Sequence, residues 1–265
     1  VKIKCGPVVS PRDWVEYAAS RKNLSVDSIS LGEVLVVTPI GSIYQKLIEF
    51  FKAYPWKNWI YDPEKQWGVK VADILGKKVS FMYIGVGAPQ VAIIEEAVSI
   101  GVNKVVFTGL AGGLGVEIGD YVVPYEAICE DGYSQHYIPL GIPAESSPRL
   151  LKLMVKSCEE TGHKPHIARV WTTSAPYREH YWKAEEYYTK WNCRAVEMET
   201  GAVYALAQYY NIEATALLII SDKIYPEKQL GFHHEKLSKT IKQVPLILKK
   251  FLLHLFTENT QQTSH

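Results

Sequence analysis

The segment Arg194–Ala207, RAVEMETGAVYALA, sets two carboxylates, Glu197 and Glu199, on either side of Met198 and just ahead of a run of small residues. In an extended chain, side chains two apart share a face, so both acids can approach one pocket. A carboxylate can accept two vicinal hydroxyls in bidentate fashion, which makes Glu199 the candidate for the 2′ and 3′ hydroxyls of a sugar. Glu197 reads either as a second pocket acid or as the charge partner of Arg194. Further along, ALLIISD closes an apolar run on Ser221 and Asp222. An acid at that edge of a sheet can protonate a departing heterocycle, a general acid step worth roughly 10² to 10⁴ in rate. The same acid can instead cap the turn that follows.

Two glycine-rich stretches accompany these acids. The strand-like run Val79–Ile84 leads into Gly85-Val86-Gly87-Ala88-Pro89, which offers bare backbone N–H groups to an anion or a sugar hydroxyl at a helix start. Taken alone it reads more readily as a tight turn. A second such stretch, VVFTGLAGGLG, carries Gly109, Leu110, Ala111, Gly112 and Gly113. If both are turns at neighbouring strand ends, they enclose one crevice, where open α/β sheets bind ligands. A dinucleotide fingerprint is disfavoured: the third glycine is missing and the next strand ends in Phe107-Thr108 rather than an acid.

Strands are expected at Val34–Thr38, Val79–Ile84, Lys104–Thr108, Asp120–Val123 and Thr215–Ser221, and helices at Ser42–Tyr54, Pro89–Ile100, Ser147–Thr161, Glu199–Tyr210 and Glu235–Phe256. Their alternation predicts an α/β fold in a single domain spanning 1–265, with a mainly parallel central sheet flanked by helices. Residues 1–30 are expected as an N-terminal extension and residues 257–265 as a frayed tail. The stretch Tyr54–Gly68 is rich in Trp and Pro, and reads as a structured surface excursion or a subunit contact.

Composition bounds the partners. With Lys+Arg 29 against Asp+Glu 28, the net charge of +1 provides no field to hold nucleic acid or an anionic membrane, so a small molecule is the expected ligand. The longest apolar runs fall well short of the roughly 20 residues that span a bilayer. Cys5, Cys129, Cys158 and Cys193 show no CxxC spacing, and the first residues lack the apolar core of a secretory signal. A reduced, cytoplasmic setting without a metal site is expected.

Together these stretches resemble the nucleoside phosphorylase family, which includes purine nucleoside phosphorylases, uridine phosphorylases, methylthioadenosine nucleosidases and AMP nucleosidases. VEMET with ISD carries the resemblance, supported by GVGAPQVAIIEEAVSIG, by IGDYVVPYEAICEDGYSQHYIP and by VWTTSAPYRE. The resemblance implies that Met198 and Glu199 hold the ribose and that Asp222 donates a proton to a purine. It further implies that Pro176, Tyr177 and Arg178 line the base. The implied reaction is glycosidic cleavage through an oxocarbenium-like transition state, with no cofactor and with phosphate as co-substrate.

The chain departs from that pattern at the anion. Val37-Thr38-Pro39-Ile40-Gly41 stands where family phosphorylases carry GDPxR, Phe107 replaces a second arginine, and Leu110 replaces a hydroxyl residue. Two lost arginines weaken phosphate binding by about 3 to 6 kcal/mol, or about 10² to 10⁴ in affinity. Gly85, Gly87, Gly109, Leu110, Ala111, Thr38 and Lys65 remain as the candidate phosphate or water site. TGLAGG also resembles the TGSAGG of nucleosidases, which use water. No histidine precedes His136, so the usual ribose 5′ ligand is missing; His136 is a substitute or simply a loop histidine. Phosphorolysis of a purine nucleoside is the leading expectation, with hydrolysis and non-catalytic nucleoside binding as alternatives. The family's shared sites suggest a homodimer or trimer of dimers, with Trp56, Trp59 and Trp67 either as interface anchors or packed within the subunit.

Overall fold

The unbroken β-branched and leucine run Val34–Thr38 forms strand β1, and its residues alternate between two apolar cores. Leu35 and Val37 pack with helices on one side, Val34 and Val36 with helices on the other. That two-sided burial is why the strand lacks polar alternation. This computed structural model describes residues 6–262.

The remaining strands are β2 (Tyr54–Pro55), β3 (Val69–Ile74), β4 (Lys77–Tyr83), β5 (Lys104–Leu114), β6 (Tyr121–Glu130), β7 (Ala144–Glu145), β8 (His166–Thr173), β9 (Cys193–Glu197) and β10 (Glu213–Tyr225). The helices are α1 (Pro11–Arg21), α2 (Gly41–Phe50), α3 (Ile93–Val98), α4 (Pro148–Glu160), α5 (Tyr181–Thr189), α6 (Thr200–Tyr210) and α7 (Glu235–Gln262). One sheet holds the strands in the order β10-β6-β8-β9-β5-β1-β4-β3-β2, with β7 on β6. β10 also pairs β5, so β5, β10, β6, β8 and β9 close into a ring. The long registers β1–β4, β1–β5, β5–β10 and β6–β8 are parallel. The antiparallel pairs β5–β9 and β6–β10 close the ring and β2–β3–β4 form the edge, so the sheet is mixed around a parallel centre.

Several boundaries differ from the sequence reading. β5 does not turn at Gly109 but continues through Leu114, because β10 lies beside it along that length. The terminal regions are built into the fold. Ser10 and Asp13 form a reciprocal cap on α1, whose Val15 and Ala19 are buried, so the N-terminal extension packs on the core from α1 onward. α7 runs through the expected frayed segment to Gln262, burying Val244, Ile247, Phe251 and Leu255 along one face. Residues 1–5, with Cys5, and residues 263–265 lie outside the described residues.

The Trp-rich excursion packs inward. Trp59 is fully buried and donates to the carbonyl of Trp67, while Lys78 sits over the Trp56 ring at 3.7 Å. Those contacts favour the intrasubunit reading over free interface anchors. Cys129, Cys158 and Cys193 are unpaired, and among the described residues no helix is long and apolar enough to cross a membrane.

Candidate functional site

The centre of the site is the junction where β9 ends and α6 begins. The first N–H groups of a helix have no partner within it and attract negative charge. Glu197 meets that need from inside the chain: its carboxylate accepts from the N–H of Glu199 (2.9 Å), the N–H of Thr200 (2.7 Å), and the hydroxyls of Thr200 (2.8 Å) and Thr172 (2.5 Å). Three of those bonds converge on Oε2, and among the described residues Oε1 accepts only the Thr172 hydroxyl. Glu197 therefore caps the helix entrance while bordering the cleft, and it does not pair with Arg194. That guanidinium lies over the Tyr188 ring and donates to the Cys193 carbonyl.

Glu199 is the residue immediately before α6, with only 4% of its surface exposed. One of its oxygens accepts the N–H of Gly87 at 2.5 Å. Gly87 has φ of +101°, a backbone conformation that a side chain would strain, and this is what aims its N–H at the acid. Burial, reinforced by the charge of Glu197, pushes the Glu199 carboxyl up to about 8.

Asp222 approaches from the opposite wall. β10 does not stop at the ISD triplet; it bulges between Ile220 and Asp222 and continues to Tyr225. A bulge re-aims a side chain. It leaves Asp222 8% exposed, with Oδ1 accepting from the Ser221 hydroxyl at 2.6 Å rather than capping a turn. Burial raises its carboxyl above the usual aspartate range. Gly112 makes room for this segment, since a Cβ there would come within 2.5 Å of Ile224.

Glu199 and Asp222 line one hollow of about 300 Å³, together with Glu197, Met198, Leu110, Ala111 and Pro176. Its remaining wall includes Pro39, Ile40, Val86 and Phe232. A second hollow of about 490 Å³ shares Pro176, Glu179, Asp222, Ile224 and Phe232 with the first and opens past Tyr177 and Lys228. Tyr177 is 92% exposed at that mouth. Arg178 is exposed and donates to the carbonyl of Tyr177; it borders neither hollow.

The expected anion set is mostly dispersed. Of its members, Leu110 and Ala111 line the hollow, and Gly87 is engaged with Glu199. Gly109 lies within β5, where the backbone pairs with β10, so no glycine turn presents N–H groups there. Thr38 is buried and accepts from Ile40 N–H, Gly85 packs against Gln66 and Gln90, and Lys65 is exposed outside the cleft. His136 borders a separate hollow of about 620 Å³ with Glu95, Glu96 and Tyr137, and does not reach Glu199 within the chain.

Sequence reasoning missed Glu179. It follows the one-turn helix Pro176–Arg178 and faces both hollows, with its carboxyl pushed up to about 7 by burial and then by Asp222. A single acid after a Pro-Tyr-Arg loop has no periodicity to distinguish it.

A ligand crevice over the ends of parallel strands, floored by an acid at a helix entrance and walled by a second acid on a strand bulge, defines a class of small-molecule α/β protein. The model of the phosphorylase superfamily matches residues 33–253, and the chain belongs to that family. It is similar to a DeoD-type purine nucleoside phosphorylase of Clostridium perfringens, 30% identical over 154 residues, or 56% of this chain and 65% of that protein. A guanosine phosphorylase of Halorubrum lacusprofundi is 30% identical over 162 residues, covering 59% of this chain and 66% of its own length. The chain thus spans just under two thirds of the curated relatives it matches. In fold it is similar to the purine nucleoside phosphorylase of Toxoplasma gondii, solved with immucillin-H: the TM-score is 0.74 at 18% identity, over 87% of this chain and 94% of that one.

Proposed function

We propose that the chain cleaves the N-glycosidic bond of a purine nucleoside by phosphorolysis, yielding free base and ribose 1-phosphate. The observation that carries this reading is the common hollow of Glu199 and Asp222. Glu199, once ionised, accepts the 2′ and 3′ hydroxyls, and Met198 packs against the sugar. The C1′–N9 bond breaks with its electron pair passing to the base, Asp222 delivers a proton to N7, and a phosphate oxygen bonds to C1′. The acids around the crevice complement the positive charge that develops on the ribosyl ring. Pro176 and Tyr177 wall the base. The relatives named phosphorylases support the phosphate acceptor. No cofactor enters this scheme. A reduced cytoplasmic setting and a homodimer or trimer of dimers complete the reading, the latter checked by light scattering.

One observation favours water as the acceptor instead. Among the described residues, the hollow that holds Glu199 has no Lys or Arg on its wall; the flank is Pro39, Ile40, Val86 and Leu110. The deciding experiment is a panel of adenosine, inosine, guanosine and uridine with and without phosphate, read by released base. Phosphate-dependent release of purines is the expected result. Equal rates without phosphate would assign a nucleosidase, and thermal stabilisation by nucleosides with no base released would assign a binding protein.

A further inference from the structure

Glu179 stands in an energetically awkward place. It is partly buried at the junction of the two hollows, faces Asp222, and takes part in no hydrogen bond or ion pair among the described residues. Burial, and then the charge of Asp222, favours the protonated form of Glu179, and burial favours the protonated form of Asp222, so the pair holds a proton more readily than ordinary carboxylates do. Among the described residues, the only lysine or arginine bordering either hollow is Lys228, on the outer one. A self-contained fold gains nothing from that arrangement, whereas a ligand that supplies one acceptor and one donor satisfies it.

We propose that Glu179 and Asp222 together read the edge of the purine that carries N7 and the 6-substituent, and that Glu179 sets a preference for a 6-amino over a 6-oxo group. A 6-aminopurine presents N7 as an acceptor beside an N6–H donor, while a 6-oxopurine presents two acceptors, N7 and O6. One carboxyl that donates and one that accepts match the first pattern. Against the second, the accepting carboxylate meets the O6 lone pairs and is left buried without a partner. Asp222 gives its proton to N7 and Glu179 accepts from N6–H, so Glu179 is a specificity-determining residue. This rests on the nucleoside reading of the same crevice.

The test compares kcat/KM for adenosine and inosine in the wild type, Glu179→Gln and Glu179→Ala. The wild type should prefer adenosine. Glutamine, which can donate to O6, should move the ratio toward inosine by about 10- to 100-fold, and alanine should move it less. If all three proteins cleave nucleosides with ratios within about twofold of each other, the assignment of Glu179 is overturned while the nucleoside reading stands. If the wild type cleaves no nucleoside, calorimetric binding of free adenine and hypoxanthine to the same proteins decides separately. Tighter adenine binding that Glu179→Gln erases supports the pair although the proposed reaction has failed. Equal binding of the two bases, or none, overturns it.

Discussion

The floor of the crevice and its acceptor-side wall are built on opposite principles. At the floor, β9 and α6 deliver two glutamates against backbone and hydroxyl donors, while burial raises the pKa of both carboxyls. At the wall, Pro39, Ile40, Val86 and Leu110 present hydrocarbon where an anion would need cations. The difference separates, within one cleft, the part that carries the buried carboxyls from a flank that, among the described residues, carries no Lys or Arg. It also shows that two acids two residues apart can do different work. Glu197 bonds the entrance of the helix it precedes, and Glu199 lines the hollow beside Asp222.

The largest effect that tests this contrast is at the leaving-base end. Asp222→Asn keeps the shape but cannot release a proton, so base release should fall by roughly 10² to 10⁴ in kcat. A loss below about tenfold would remove Asp222 from the proton transfer. Smaller is the gain from rebuilding the wall. Leu110→Arg places a cation in the hollow, and one charged hydrogen bond should lower the KM for phosphate by about 10- to 100-fold in steady-state assays. An unchanged phosphate KM would mean that the acceptor does not bind against that wall.

The smallest effect separates the two glutamates by stability alone. Glu199 ionises at about 8 in the folded chain, above its ordinary value of 4.5. The folded state therefore holds the proton more tightly than the unfolded chain does. Its stabilising contribution is complete below about pH 4.5 and is lost as pH rises through about 8. Glu199→Gln removes that loss and should raise the Tm of the empty protein by roughly 2–8 °C at pH 8, with the gain fading toward pH 4.5. Glu197→Gln disrupts the four-bond cap of α6 and should lower Tm by a similar amount, roughly 2–8 °C. Calorimetric scans showing shifts of the same sign for both variants would dissolve the distinction.

Much of this was legible because burial on both faces leaves a plain signature. β1 was readable to the residue, and α4 and α6 to within a residue at each end. β5 was cut short because glycine serves equally to turn a chain and to let two strands crowd together, and Gly112 does the latter against Ile224. β8 and β9 escaped notice because their Arg and His residues interrupt the apolar run while their partners lie far along the chain. In the site, Glu199 and Asp222 could be found from their places at the ends of apolar runs. The cap on Glu197 could not, since an acid beside a helix start has the same composition whether it binds a ligand or the backbone. Gly109 left the expected anion set for the reason β5 was cut short.

The link from Glu199 to Gly87 joins residues 112 apart in sequence. On the proposed reading, the sugar would be held by a clasp with one jaw from the first half of the chain and the other from the second. Cutting the polypeptide between them is then expected to abolish nucleoside affinity until the two fragments reassociate.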